Sequence, residues 1–355
     1  MTHHFRPALG RAMARARRTG TAKGPVDVSA VITDALTSAG LMGRPADATS
    51  STAPQPETLL GALRGHGGPR GRSAGQPAMR GLRQAPPDLP DGASWAARRF
   101  DGPEGGRDYR LFLPTPREGG PVGLLVMLHG CTQNPKDFAR GTRMNAVAER
   151  HGFAVIWPQQ GPAHNPQSCW NWFRPEDQRR EGGEPAIIAA ITRAVLAELG
   201  LRDGQAAVAG LSAGGAMAAI LAVTHPDLFA AAGVHSGLPA GAARDVMSAF
   251  AAMRAGGGRQ RDGAPLIVFH GTADATVSAA NADALIPGGG VETSHAANGR
   301  RWTRLVADGG SELWRVEGGG HAWFGGDAAG SYADPLGPDA SEEFARFALD
   351  RMRGR

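Results

Sequence analysis

The chain is 355 residues long, 20% charged and 41% hydrophobic, with a formal net charge of +5. That leaves room for one large domain or two small ones, and no apolar run approaches the roughly 20 residues that span a bilayer. The positive balance belongs to residues 1–90, with 12 Lys/Arg against 5 Asp/Glu; the remainder carries 26 against 28, so the body lacks the basic cleft of a nucleic-acid enzyme.

Residues 1–91 read as a basic, mostly disordered leader rich in Gly, Pro and Arg, clearest from Gly65 to Arg72. Two weakly helical islands interrupt it, one around Val28, Val31, Ile32 and Leu36, the other around Leu59, Leu60 and Leu63. Arg17-Arg18 is followed by a polar stretch instead of an apolar one, so no export signal is read and the cytoplasm is the expected compartment.

Residues 92–355 read as one catalytic domain. Tyr109 to Leu113 alternates like a strand. Val122 to His129 is continuously apolar, as a strand buried on both faces of a parallel sheet should be. Asp137 to His151 has helical spacing, Phe153 to Pro158 is the next strand, and a polar loop runs from 159 to 184. Ala186 to Leu199 is a helix stopped by Gly200. Ala206 to Ala209 is a strand, and a helix of small residues runs from Gly215 to Val223. Strands at Ala230–His235, Pro265–His270 and Leu313–Val316 follow, with helices at 241–255 and Ser341–Met352. Alternating strands and helices predict an α/β fold with a mostly parallel central sheet flanked by helices.

Gly210-Leu211-Ser212-Ala213-Gly214 joins that short strand to the small-residue helix. Strand, Gly-x-Ser-x-Gly turn and helix in this order describe a nucleophile elbow, which lifts a serine hydroxyl above the sheet end. A serine hydroxyl is a weak nucleophile; it needs a base, and the base needs a carboxylate to fix its tautomer. In the α/β-hydrolase order the acid follows the serine and the histidine comes last. His321, in a glycine-rich loop after the last strand, is the expected base. Asp274, leaving the carboxyl end of a buried strand, is the expected acid. Asp262 and Asp308 precede their strands and would lie at the wrong end, Asp283 falls on a helix, and Asp327 is close in sequence to His321. The oxyanion hole is expected from the N–H of Ala213 and an N–H of the early loop His129-Gly130-Cys131-Thr132, with Cys131 preferred and Thr132 as the alternative. His129 reads as a structural loop residue.

Five motifs, His-Gly-Cys-Thr-Gln-Asn from His129, Cys-Trp-Asn-Trp-Phe from Cys169, Gly-Leu-Ser-Ala-Gly-Gly-Ala-Met from Gly210, His-Gly-Thr-Ala-Asp from His270 and Gly-His-Ala-Trp from Gly320, together resemble the poly(3-hydroxybutyrate) depolymerase family of esterases, neighbours of the feruloyl and acetylxylan esterases. The resemblance covers roughly residues 95–350 and implies an α/β-hydrolase fold with Ser212, Asp274 and His321 as nucleophile, acid and base. It also implies a Cys131–Cys169 disulfide; two free thiols in a cytosolic protein are the other reading, and a bridge would favour secretion.

The 62 residues from Ser212 to Asp274 are filled by alternating helices and strands, so no large cap domain is expected and the site should be open. Two readings stand for Trp170, Trp172 and Trp323: they pack loops together, or they form an aromatic substrate-binding platform for the acyl chain. The expected activity is a serine esterase reaction on polyesters or oligoesters and short-chain esters, with no metal or organic cofactor. A feruloyl or acetylxylan-type esterase is the alternative; a peptidase or a non-catalytic binding protein on the same fold is disfavoured.

Overall fold

The structure is a computed structural model and describes residues 89–353. Almost the whole of the leader expected over 1–91, with both of its helical islands, lies outside the described residues.

A ten-stranded sheet organises the described chain. Its strands are β1 (Ser94–Gly102), β2 (Gly105–Leu113), β3 (Leu124–Leu128), β4 (Ala154–Pro158), β5 (Ala206–Leu211), β6 (Phe229–His235), β7 (Leu266–Gly271), β8 (Gly290–Ala297), β9 (Arg300–Ala307) and β10 (Glu312–Val316). They lie in the order β1-β2-β4-β3-β5-β6-β7-β10-β9-β8. The six strands from β4 to β10 are parallel, and antiparallel pairs flank them at each edge. This is the doubly flanked sheet that the apolar runs anticipate, in an α/β-hydrolase arrangement.

Strand side chains alternate between two cores. Leu124, Val126 and Leu128 of β3 face a layer made by helices α3 (Gly183–Glu198), α4 (Ala213–Thr224), α5 (Val246–Ala255) and α6 (Ala280–Leu285). Leu125 and Met127 face the opposite layer, made by α1 (Pro135–Thr142), α2 (Met144–His151) and α7 (Ala340–Arg353). The α4 sequence is nearly all small and apolar because the helix is buried against the sheet along ten of its twelve positions, which leaves no polar face to write. Two short strands, β11 (Trp323–Phe324) and β12 (Ala333–Asp334), pair beside the main sheet. Among the described residues no helix is long and apolar enough to cross a membrane.

Three elements depart from the sequence reading. The single helix expected over Asp137–His151 is two, because Arg143 takes a left-handed conformation (φ 54°) and its side chain reaches Gly325 O at 2.6 Å. The first strand pair begins at Ser94, ahead of the expected Tyr109 strand. Strands β8 and β9 form a hairpin ahead of β10, closed by Asn298-Gly299 with both residues at positive φ.

Among the parallel strands the winding reverses once. From β3 the chain moves outward to β4, then returns past β3 to β5. Open α/β sheets bind ligands beyond the carboxyl ends of the strands at such a switch point. Here those ends are Leu128 and Leu211, each followed directly by a motif singled out from the sequence.

Candidate active site

Ser212 stands between β5 and α4 with φ 58° and ψ −118°, a conformation that costs a non-glycine residue energy and persists only where surroundings enforce it. Its N–H donates to His235 O at 2.9 Å, carrying the β5–β6 ladder one residue past the strand. Its neighbours must be glycine: a Cβ on Gly214 would overlap the Leu128 carbonyl oxygen, and one on Gly210 would overlap the Gly214 backbone. The turn is thus pressed backbone to backbone against the end of β3. A Cβ built on Gly130 would lie 3.6 Å from Ser212 Cβ, so the loop after β3 borders the serine.

Asp274 follows β7, and His321 follows β10, the adjacent parallel strand. Their loops are stitched together by Thr272 N to Val316 O (2.9 Å), Ala273 N to Gly319 O (2.9 Å) and Gly318 N to Thr272 Oγ1 (2.9 Å). The Asp274 side chain is wholly buried. Oδ1 accepts the N–H groups of Thr276 and Val277, both at 2.9 Å, and Oδ2 accepts from His321 Nδ1 at 2.8 Å. Burial alone would raise this carboxyl, but the hydrogen bond and charge of His321 and the backbone donor prevail and hold it at about 2. The carboxylate therefore accepts, His321 Nδ1 carries the proton, and a neutral His321 ring presents Nε2 as a lone pair. Among the described residues no hydrogen bond joins Ser212 Oγ to His321; catalytic hydrogen bonds often tighten only when substrate binds.

Two further histidines support this pair. His270 Nε2 donates to Val277 O at 2.9 Å and lies 3.6 Å from Asp274 Oδ2. His235, stacked on Phe269 and Trp323, accepts the Phe324 N–H through Nε2 at 3.1 Å. Burial keeps both rings neutral.

The loop after β3 is tied down by the Cys131–Cys169 disulfide, the pairing that the family resemblance implies. Of the two N–H groups weighed for the oxyanion, that of Thr132 donates to Gln167 O at 2.8 Å. Among the described residues the N–H groups of Cys131 and Ala213 have no hydrogen-bond acceptor. Cys131, not Thr132, is therefore available. Tyr332 completes the surroundings: its hydroxyl lies 3.4 Å from Thr132 Oγ1, and its ring meets His321 edge-on at 6.4 Å between centroids. Nothing in the sequence marks Tyr332 except that the chain has two tyrosines.

The aromatic platform does not form. Trp170, Trp172 and Trp323 are 0%, 6% and 2% exposed, buried among loops and core. Trp170 Nε1 donates to His129 O at 3.1 Å and Trp323 Nε1 to Ser341 Oγ at 3.0 Å, so their polar edges also point inward. An indole that finds both an apolar bed and a partner for its N–H is more stable inside than lining an open cleft.

A relative, poly(3-hydroxyalkanoate) depolymerase C of Paucimonas lemoignei, is 33% identical over 192 residues, 49% of this chain and 46% of that protein. A probable acetylxylan esterase A of Aspergillus fumigatus is 34% identical over 134 residues, 37% of this chain and 34% of its own. The chain thus spans less than half the length of these curated relatives. In fold it is similar to the acetyl xylan esterase from Aspergillus awamori, with a TM-score of 0.56 and 20% identity over 72% of this chain and 99% of that one. The family described as Esterase PHB depolymerase matches residues 107–289. That match takes in the Cys131 loop, the elbow at Ser212 and the Asp274 turn over just more than half of the sequence, and the chain belongs to the Esterase PHB depolymerase family.

Proposed function

We propose that the protein is a serine carboxylic-ester hydrolase that cleaves polyesters or oligoesters of the 3-hydroxybutyrate type, and short-chain esters, through an acyl-enzyme. The observation that carries the reading is the Asp274–His321 hydrogen bond past the carboxyl ends of β7 and β10, with a serine on a strained elbow at the same end of β5. His321 Nε2 takes the Ser212 proton as Oγ attacks the ester carbonyl, and the Cys131 and Ala213 N–H groups receive the oxyanion. His321 then protonates the leaving alcohol. Water, deprotonated by the same ring, releases the acid. The depolymerases among the relatives support the polyester substrate.

A second reading, acetyl esters of plant polysaccharides, is supported by the acetylxylan esterases among the relatives. Both readings use the same triad. Residues 92–355 would form the catalytic domain behind a basic leader, and the Cys131–Cys169 bridge favours an oxidising compartment.

Ser212→Ala should lower turnover of a nitrophenyl ester by about a millionfold. Undiminished turnover would end the proposal. Rates on a 3-hydroxybutyrate oligomer and on acetylated xylan separate the two substrates.

A further inference from the structure

Beneath the disulfide lies a buried polar network that the reaction does not use directly. Glu184, in the first turn of α3, is 4% exposed. Its Oε2 accepts the Asn171 N–H at 2.7 Å; its Oε1 accepts Asn171 Nδ2 at 2.8 Å and Gln160 Nε2 at 2.5 Å. Gln160 Nε2 also donates to Cys169 O at 2.9 Å, while Gln160 N–H donates to His129 Nε2 at 3.1 Å.

That last contact fixes the histidine tautomer. With Nε2 accepting, the neutral ring carries its proton on Nδ1, which donates to Gly130 O at 2.8 Å. The Gly130 carbonyl and the Cys131 N–H are the two ends of one planar trans peptide, so fixing the carbonyl aims the N–H. Burial pushes His129 down to about 4, which keeps the ring neutral and in this role.

We propose that Glu184 is a positioning residue for the oxyanion hole, acting through Gln160 and His129 on the Gly130–Cys131 peptide. The inference rests on the Cys131 N–H receiving the oxyanion, as set out above. The carboxylate gathers three donors from two segments of the 159–182 loop, and no neutral side chain of its size offers two acceptor oxygens there. The charged groups around it are Arg107 of β2, whose Nη2 lies 3.8 Å from Oε1, and Asp177, whose Oδ1 accepts the Glu184 N–H at 2.8 Å. Burial and then Asp177 push Glu184 up to about 7, so at pH 8 the carboxylate is the form present.

The test compares wild type, Glu184→Gln, Gln160→Met and Ser212→Ala at pH 8 on a nitrophenyl ester. Affinity for a trifluoromethyl ketone, which forms a tetrahedral oxyanion on a serine, is measured alongside. Glu184→Gln sets an amide N–H against one of the present donors. It should lower kcat by about 10- to 100-fold, less than outright loss of an oxyanion donor. KM should stay nearly constant, and the ketone should weaken in parallel with kcat. Gln160→Met should show the same pattern. Folded variants with wild-type kcat and ketone affinity would overturn the inference, as would a loss confined to KM. Failure of both variants to fold would make the network a folding element and overturn it equally. Turnover surviving in Ser212→Ala would instead remove the site reading beneath it.

Discussion

His321 Nδ1 and Asp274 Oδ2 meet at 2.8 Å, and the carboxylate's other oxygen is held by two N–H groups of its own loop. The aspartate therefore cannot swing away, and the imidazole is held in one tautomer. Asp274→Asn keeps the size but offers a donor where an acceptor is needed. It should leave the fold intact and lower kcat by about 10⁴-fold, measured on a soluble ester. A loss of less than tenfold in a folded variant would argue against the pair as catalytic.

Stability should fall as the solution is acidified from about pH 6.5. His129 and His225 are each pushed to about 4, mainly by burial, and His235 and His270 are lowered for the same reason. A histidine whose folded pKa is depressed contributes its full stability above its unfolded value near 6.5 and loses it as pH falls towards the folded value. Glu184, raised to about 7, works in the opposite direction between about 7 and 4.5, as does the raised Asp177 at lower pH. With His164, also lowered mainly by burial, five histidines outweigh two carboxyls. Asp274, held at about 2, adds a further loss only below about pH 4. Urea midpoints measured from about pH 6.5 to about pH 4 should decline; a midpoint rising over that interval would contradict the assignment.

Replacing both Cys131 and Cys169 by Ser removes a bridge that spans 38 residues. The unfolded chain then regains loop entropy worth about 2–4 kcal/mol. Hydrogen bonds from Thr132 N to Gln167 O and from Trp170 Nε1 to His129 O still hold the loop, so stability should drop more than turnover does. Denaturant melts and ester assays on the double variant check both halves.

Trp323 stacks on His235 at 5.0 Å and meets Phe138 edge-on at 5.5 Å. Trp323→Ala should cost about 3–5 kcal/mol through the cavity it opens. A variant of unchanged melting temperature with a raised KM would restore the platform reading that burial opposes.

The core of this molecule was legible because burial on both faces writes itself as unbroken apolar runs, as in Leu124–Leu128 and Leu266–Phe269. The elbow, the acid and the base were legible from order along the chain. Strand β8 was not: every residue of Gly290–Ala297 is exposed, so no apolar alternation marks it. The Asn298-Gly299 turn is its one signal, and that turn lacks the alternating hydrophobic flanks that mark a hairpin. The break at Arg143 was hidden because apolar spacing runs on through both helices. The inward turn of the tryptophans depends on partners such as Ser341 and His129, which lie 18 and 41 residues away in sequence.

The contact between the elbow and the end of β3 also bears on how this chain can vary. Ser212 is located by main chain pressed on main chain at Gly210, Gly214 and Leu128, with no side-chain packing between them. Exchanges of methyl groups elsewhere in the core shift rotamers before they shift backbones. The nucleophile is therefore insulated from such drift, while the two glycines themselves admit no replacement. Sequence diversity can accumulate around a fixed point of reaction, and a redesign of selectivity can work on the surrounding loops without re-solving where the serine stands.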